Sequence, residues 1–447
     1  MTKESSRLPP IGAMPEEPSK LVRKTRHAPG GPKYVVWEIT LKCDLGCRHC
    51  GSRAGKPRTE ELTTEQCLDA VRQFADLGVR EVTLIGGEAY LRDDWDMIAK
   101  AITDRGIRCG MTTGGRNLSQ ERVDRAVDAG MTTISISLDG LERTHDLLRG
   151  ARGSFRAAIE SAERVSKSPI RLATNTQINR LSMPELVAMC DLLHDIGSKA
   201  WQIQLTVPMG RAADRPELLL QPSDLLELFP LLVWMKKEKL RPRGIQLFPG
   251  NNIGYFGPYE QDLRYGGGKG THWSSCGAGT ACLGMEADGK LKGCPSLPSD
   301  RYTGGYVQET SVEELVYGTE EISHLGKRTR DDLWGYCKTC YYGDVCLAGC
   351  SWTGQVLMGR PGNNPYCIHR QLEYEQAGQR ERIRKVEKAP GMPFDQGRFE
   401  TYLEPIPEDE HVEASVGGFS IETVATLRAD SGGLWTEEDG KRRLRIL

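Results

Sequence analysis

Eleven of the fourteen cysteines in this 447-residue chain fall into groups whose spacing suits metal chemistry. Cys43, Cys47 and Cys50 stand in the run Cys-Asp-Leu-Gly-Cys-Arg-His-Cys, with no fourth cysteine close by. Further along come Cys276, Cys282 and Cys294, then Cys337, Cys340, Cys346 and Cys350, and last Cys367. A cubane iron–sulfur cluster takes one thiolate on each iron, so four cysteines close it and three leave one iron open. An open position is what separates a reactive metal site from a structural one. Three plus eight therefore reads as one open cluster and two fully ligated ones. Zinc is the competing reading, but zinc wants tetrahedral closure, and His49 lies between two of the cysteines rather than at a finger-like distance. Cys67 and Cys190 fall in helical runs (64–77 and 184–193) and read as core packing. Cys109 falls on a strand, where it could face an interior and serve as a hydrogen-atom donor.

These residues need a frame to hold them. Between residues 34 and 211, short apolar runs alternate with helical stretches, the pattern of parallel β/α units. The expected strands cover 34–40, 81–85, 108–113, 132–138, 171–178 and 200–207. Side chains on a strand alternate between its faces. Ile134, Ile136 and Leu138 thus oppose Ser135, Ser137 and Asp139, and Trp201, Ile203, Leu205 and Val207 oppose Gln202, Gln204 and Thr206. Apolar faces meet helices, which leaves the polar rows for an interior or, alternatively, for an open sheet edge. Gly86-Gly87-Glu88 closes the second strand; glycines let backbone approach a ligand, and the carboxylate can face a cationic amine.

Composition narrows the class. A net charge of −2 argues against a general nucleic-acid binder or a membrane-surface protein. No stretch is expected to approach the roughly 18 apolar residues of a membrane span, and the polar N-terminus lacks an apolar export signal. Cysteine usage then points to reduced thiols in a cytoplasmic, low-oxygen setting.

The run Cys43-x3-Cys47-x2-Cys50 after the apolar stretch 34–40 resembles the signature of the radical S-adenosylmethionine (radical SAM) enzymes. The later cysteines, with Gly289 between Cys276 and Cys294, resemble the SPASM extension of many peptide- and protein-modifying members. The resemblance spans about residues 33–370. It implies an α/β fold: a partial (β/α)6 TIM-like barrel with a cysteine-rich C-terminal SPASM domain binding two auxiliary clusters, and chemistry at the C-terminal ends of the strands. It implies three [4Fe-4S] clusters and S-adenosylmethionine. Cys43, Cys47 and Cys50 would hold the reactive cluster, Cys276, Cys282, Cys294 and Cys350 an inner auxiliary one, and Cys337, Cys340, Cys346 and Cys367 an outer one. Cys282 would close the inner site against direct substrate ligation. Gly86, Gly87 and Glu88 match the family's methionine-amine motif. Ser137 and Asp139 match ribose and carboxylate contacts, and Arg149 a clamp on the methionine carboxylate, where the alternative is a surface ion pair. Thr113 and the run 208–211 match positions near the adenosine. His49 replaces the Tyr or Phe often found before the third cysteine, and Gln204 is assigned to the cofactor from its polar row.

The implied mechanism is reductive cleavage of S-adenosylmethionine to a 5′-deoxyadenosyl radical, which takes a hydrogen atom from a substrate carbon. The expected function is radical modification of a ribosomally made peptide (RiPP biosynthesis) or a protein side chain, by a carbon–carbon or thioether cross-link. Alternatives are modification of a tetrapyrrole or other small metabolite, and sulfatase-maturase-like oxidation; a cluster-bearing electron carrier is the non-enzyme reading. The auxiliary clusters would relay electrons or stabilise the fold. Expected partners are the peptide or protein substrate, a separate leader-binding protein, since no winged-helix module is expected before the first strand, and a low-potential flavodoxin- or ferredoxin-type donor. The expected organisation is a disordered segment at 1–32, the barrel at 33–215, a helix and Gly/Tyr-rich bridge at 216–275, the SPASM domain at 276–370 and a C-terminal helix and tail at 371–447. Residues 250–273 are expected to border the substrate cavity, 371–388 to form a charged helix, and the acidic run 404–413 shows no chemistry.

Overall fold

The computed structural model describes residues 31–254, 256–264, 275–407, 435–438 and 441–444. The segment expected to be disordered, apart from its last two residues, lies outside the described residues, as do 265–274 of the bridge and 408–413 of the acidic run.

Six strands pair in parallel and in chain order: β1 (Tyr34–Glu38), β2 (Glu81–Ile85), β3 (Arg108–Thr113), β4 (Thr133–Ser137), β5 (Arg171–Ile178) and β6 (Ala200–Leu205). The sheet does not stop at six. β7 (Gln246–Pro249) adds in parallel beyond β6. On the other edge β8 (Cys282–Met285) runs parallel to β1, followed antiparallel by β9 (Lys290–Lys292) and β10 (Thr303–Tyr306). All ten form one sheet, so the cysteine-rich region continues the barrel wall rather than hanging from a tether.

Helices cover the apolar face. α1 (Thr64–Asp76) starts at a Thr63–Gln66 capping box and buries Cys67, Ala70, Val71 and Phe74, one stripe at helical spacing. Phe74 meets Trp37 of β1 edge-on, with ring centroids 5.9 Å apart. α2 (Trp95–Thr103), α3 (Gln120–Asp128), α4 (Glu142–Arg149), α5 (Ser154–Ser166) and α6 (Leu186–Asp195) complete the cover. Cys109 pairs with Val82 and is fully buried beside Met111 on this helix-facing side, so period-two alternation takes it away from the interior. Cys67 and Cys190 are buried in the same core. The opposite face carries polar rows in register: Thr112, Ser135 and Ala173 form one, Ser137, Asn175 and Gln202 the next, and Gln177 faces Gln204.

Two expectations change. The stretch Pro216–Arg243 does reach the length and apolarity of a membrane span, but 67% of its most apolar window is buried inside the protein. Leu225, Leu228, Phe229 and Leu232 of its helix Leu225–Trp234 are core residues. The run 371–388 is not one helix. A helix ends at Gln376, and β11 (Gln379–Glu387) pairs antiparallel with β12 (Arg398–Pro405). Glu381 and Ile383 alternate inward, while cross-strand pairs such as Arg380–Glu404 (2.6 Å) and Arg398–Glu387 (2.6 Å) dress the outer face. The loop between these strands folds back on the barrel, where Gly210 N donates to Asp395 O (2.8 Å) and Arg53 Nε donates to Asp395 Oδ1 (2.7 Å). Two further short strands, Trp435–Glu438 and Lys441–Leu444, pair with each other.

Candidate active site

The loop after β1 carries Cys43, Cys47 and Cys50 and is pinned by backbone bonds. Cys43 N donates to Gly55 O (2.9 Å), Gly55 N to Leu41 O (3.0 Å) and Arg48 N to Leu148 O (2.7 Å). Arg211, from the turn after β6, adds a second clamp. Its amide donates to Cys50 O (2.9 Å), its guanidinium to Cys47 O (3.1 Å), and also to Ala54 O. The run 208–211 therefore holds the cysteine loop. Gly210 makes the approach possible: its φ is +56°, and a Cβ there would strike the carbonyls of Gly51 and Cys50.

Gly87 serves the same loop from the other side. Gly87 N donates to Thr40 O (2.9 Å) and Glu88 N to Lys42 O (2.8 Å). A Cβ on Gly87 would stand 2.6 Å from Leu41 O and closer still to Lys42 O. The close approach that these glycines were expected to give a ligand is thus used by backbone of the cysteine loop.

Glu88 is 1% exposed. Its Oε2 accepts from Gly114 N (2.9 Å), next to Thr113, whereas Oε1 is buried with no partner. Burial pushes its carboxyl up to about 8, against hydrogen bonds from the Thr113 side chain and Gly114. A carboxyl so placed ionises readily only when a cation arrives, and the ammonium of an amino acid is a suitable one.

Asp139 joins the second group. Fully buried, it lies 2.6 Å from Arg149 Nη2 and 3.1 Å from His49 Nε2, while its Oδ1 accepts from Gln177 N (2.9 Å). Burial alone would raise its pKa, but the Arg149 and His49 charges win and hold it well below the usual carboxylate range. Arg149 also donates to Cys47 Sγ (3.7 Å), and its Nε is buried without a partner. Burial pushes the Cys47 thiol up, with the Arg149 charge opposing, and lifts Cys43 to about 12. His145 was not singled out from sequence. It sits one turn before Arg149 on α4, accepts from Asp139 N (3.2 Å), and burial drives it down to about 3. The i, i+4 spacing from Arg149 was the available signal. Ser137 is buried on the interior row, and Gln204 stands two strands from β4, in van der Waals reach of Gly250.

The eight later cysteines form two groups in space. Cys282 feels Cys294, Cys276 and Cys350, and burial pushes its thiol well up. Cys346 feels Cys367, Cys337 and Cys340 in the same way. The described part of 250–273 reaches this second group: Gly254 and Phe256 line a small cavity with Tyr336, Tyr342, His369 and its cysteines. Among the described residues, no three His, Cys, Asp or Glu side chains converge tightly enough for a single metal ion.

The orphaned Glu88 oxygen, the free Arg149 Nε and three thiols in one loop fit a [4Fe-4S] cluster with S-adenosylmethionine, whose amino acid end carries both charges. Comparison with known proteins agrees. The radical SAM superfamily profile matches residues 37–193. An AdoMet-dependent heme synthase from Methanosarcina barkeri is 29% identical over 354 residues, covering 76% of this chain and 97% of that protein. A mycofactocin maturase MftC from Mycobacterium ulcerans is 26% identical, covering 78% and 91%. Among solved structures, anSMEcpe with bound AdoMet superposes with a TM-score of 0.59 at 16% identity, over 77% of this chain and 97% of that one. Streptococcus suis SuiB bound to S-adenosylmethionine gives 0.58 at 17%, over 76% of each.

Proposed function

We propose that this chain, whose residues 37–193 match the radical SAM superfamily profile, is a radical SAM enzyme that modifies a peptide or protein and holds two auxiliary clusters. The carrying observation is the chemistry of the interior. Its rows are uncharged: Thr112, Ser135, Ser137, Asn175, Gln177, Gln202 and Gln204. Four basic side chains are already paired. Arg58 pairs with Glu38 and Glu286, Lys292 with Glu286, Arg53 with Asp214 and Asp395, and Arg149 with Asp139. Hydroxyls and amides suit peptide groups, whereas a tetrapyrrole bearing several carboxylates wants open cations.

When bound, the open cluster and S-adenosylmethionine supply a primary-carbon radical able to take a hydrogen atom from an unreactive carbon. The chain's own residues prepare that event. Cys43, Cys47 and Cys50 hold the cluster, with Arg149 beside Cys47 easing the thiolate charge. Glu88 takes the methionine ammonium and Arg149 the methionine carboxylate, while Asp139 fixes Arg149 and His49 in place. Thr113 sets the Glu88 carboxyl, and Ser137 and Gln204 face the same interior. Cys276, Cys282, Cys294 and Cys350 hold the inner auxiliary cluster, and Cys337, Cys340, Cys346 and Cys367 the outer one. Burial pushes the thiols of Cys282 and Cys350 in the first group and of Cys337, Cys346 and Cys367 in the second upward, so they ionise only beside a positive charge, which iron would provide. An external low-potential donor of flavodoxin or ferredoxin type supplies the electron.

A second reading has one observation in its favour: the haem synthase relative matches along nearly all of its own length. The test is anaerobic formation of 5′-deoxyadenosine by the reconstituted protein, with a short peptide encoded beside the gene or with a haem-precursor tetrapyrrole. Stimulation and a mass change in the peptide support the first reading; the same response to the tetrapyrrole alone replaces it with the second.

A further inference from the structure

Three hydroxyls that flank inner-group cysteines in the chain are buried, Ser275 Oγ and Ser351 Oγ with no hydrogen-bond partner and Thr353 Oγ1 with only the Cys350 sulfur against it. Their residues are 4%, 2% and 0% exposed. An unsatisfied buried hydroxyl is costly, so each of these calls for an acceptor. All three neighbour cluster ligands in the chain. Ser275 precedes Cys276, Ser351 follows Cys350, and Thr353 is three residues beyond Cys350. Cys350 is also the N-cap of the eight-residue helix Ser351–Met358. The amides of Trp352 and Thr353 point at its sulfur, and the Thr353 side chain lies against it.

The outer group is built differently. Cys367 caps the helix Ile368–Gln376, and the Arg370 amide reaches its sulfur. The first turn there reads Ile368, His369 and Arg370, without a hydroxyl, and the cavity wall is aromatic, from Phe256, Tyr336, Tyr342 and His369.

We propose that Ser351 and Thr353, together with the helix N-terminus they occupy, donate hydrogen bonds to sulfur atoms of the inner auxiliary cluster and raise its reduction potential. Adding an electron makes cluster sulfur more negative. Hydroxyl donors and the positive end of a helix stabilise that form more than the oxidised one. Ser275 supports the same sulfur shell from the Cys276 side. The inference rests on the reading of Cys276, Cys282, Cys294 and Cys350 as ligands.

The test uses the full chain, reconstituted anaerobically, in a Cys43→Ala, Cys47→Ala, Cys50→Ala background that silences the first cluster. Midpoint potentials are read by electron paramagnetic resonance during redox titration, beside an iron count. The inner midpoint is the one lost with Cys276→Ala; if neither midpoint is lost with that change, the ligand reading itself fails. Thr353→Val, close to isosteric, is expected to move the inner midpoint to a more negative potential and leave the outer one in place. Thr353→Ser is expected to restore it, and Ser351→Ala to move it the same way as Thr353→Val. An unmoved inner midpoint with the iron count intact overturns the proposal. Should Thr353→Val lose the inner cluster, Ser351→Ala decides: a more negative inner midpoint with the iron count intact supports the hydroxyl donors, and an unmoved one overturns them.

Discussion

Asp139 Oδ2 lies 2.6 Å from Arg149 Nη2, both side chains buried, and the same oxygen holds His49 Nε2 at 3.1 Å. One carboxylate at the end of β4 thus fixes two residues of different elements, one from the cysteine loop and one from α4. Its position explains why Arg149 can stand against Cys47 without being an unpaired buried charge. Asp139, expected from the family likeness to touch the cofactor, holds two of its neighbours in place.

Asp139→Asn should therefore weaken two things together. Breaking a buried charge pair by removing one partner costs about 3–5 kcal/mol, so the melting temperature falls. Loss of the Arg149 orientation should weaken S-adenosylmethionine binding about 10–100-fold, the scale of one charge-assisted hydrogen bond. Equilibrium binding and thermal unfolding measure these separately; an unchanged affinity would mean that Arg149 needs no holder.

Glu88 makes a pH prediction. Its carboxyl titrates near 8 when folded because burial disfavours the anion, against about 4.3 unfolded. Between those values the folded state binds the extra proton, so its contribution to stability is full below about 4.3 and is lost as pH rises through 8. Binding of a cationic amino group has the opposite slope, since it requires the carboxylate. S-adenosylmethionine affinity should climb with pH, by up to about tenfold per unit, and level off above 8, with proton release on binding. Glu88→Gln should flatten both curves. Calorimetry in buffers of different ionisation enthalpy reads the proton directly; zero release at pH 7 would contradict the assignment.

Gly87 and Gly46 offer a matched pair in and against one loop. A Cβ on Gly87 would enter the carbonyls of Leu41 and Lys42, whereas one on Gly46 meets nothing within 4 Å. Gly87→Ala should displace the cysteine loop and lower the iron bound at the first site, while Gly46→Ala should bind iron as the parent does. Equal iron in both variants would show that the loop moves freely past β2.

Much of this was legible because spacing carries it. β/α alternation places six strands, and period two sends Ser137 to the interior, whereas Cys109, read from sequence as able to face that interior, lies in the helix-facing core. Three things were hidden for physical reasons. Strand β11 reads Gln-Arg-Glu-Arg-Ile-Arg-Lys-Val-Glu, and such a charged run satisfies helical charge pairs as well as strand alternation. Only pairing with β12 decides it. The clamp from Arg211 depends on a contact 164 residues distant in the chain, which no local pattern encodes. Gly86 and Gly87 announced a close approach but not its object, since a ligand and a carbonyl demand the same missing Cβ.

The turn that returns from β11 to β12 gives the last prediction. Asp395 caps it, accepting from Gly391 N and from Met392 N (3.0 Å) through Oδ2, while Oδ1 receives Arg53 Nε. Both Arg53 and Phe394 sit in the left-handed region, at φ +50° and +58°. Such positions cost about 1–3 kcal/mol each and persist only when neighbours over-determine them. Asp395 is the shared neighbour, and Phe394 also lies 4.2 Å under the buried Lys292 ammonium. Asp395→Ala should release the turn, so that limited proteolysis cuts between 388 and 398 and the melting temperature drops. Arg53 has a second partner, Asp214 at 2.6 Å, but that side chain is 45% exposed and its pair is screened by solvent. Asp214→Asn should accordingly leave the protease pattern of the parent. If both variants resist proteolysis alike, the turn is held by Phe394 packing and not by the Arg53–Asp395 pair.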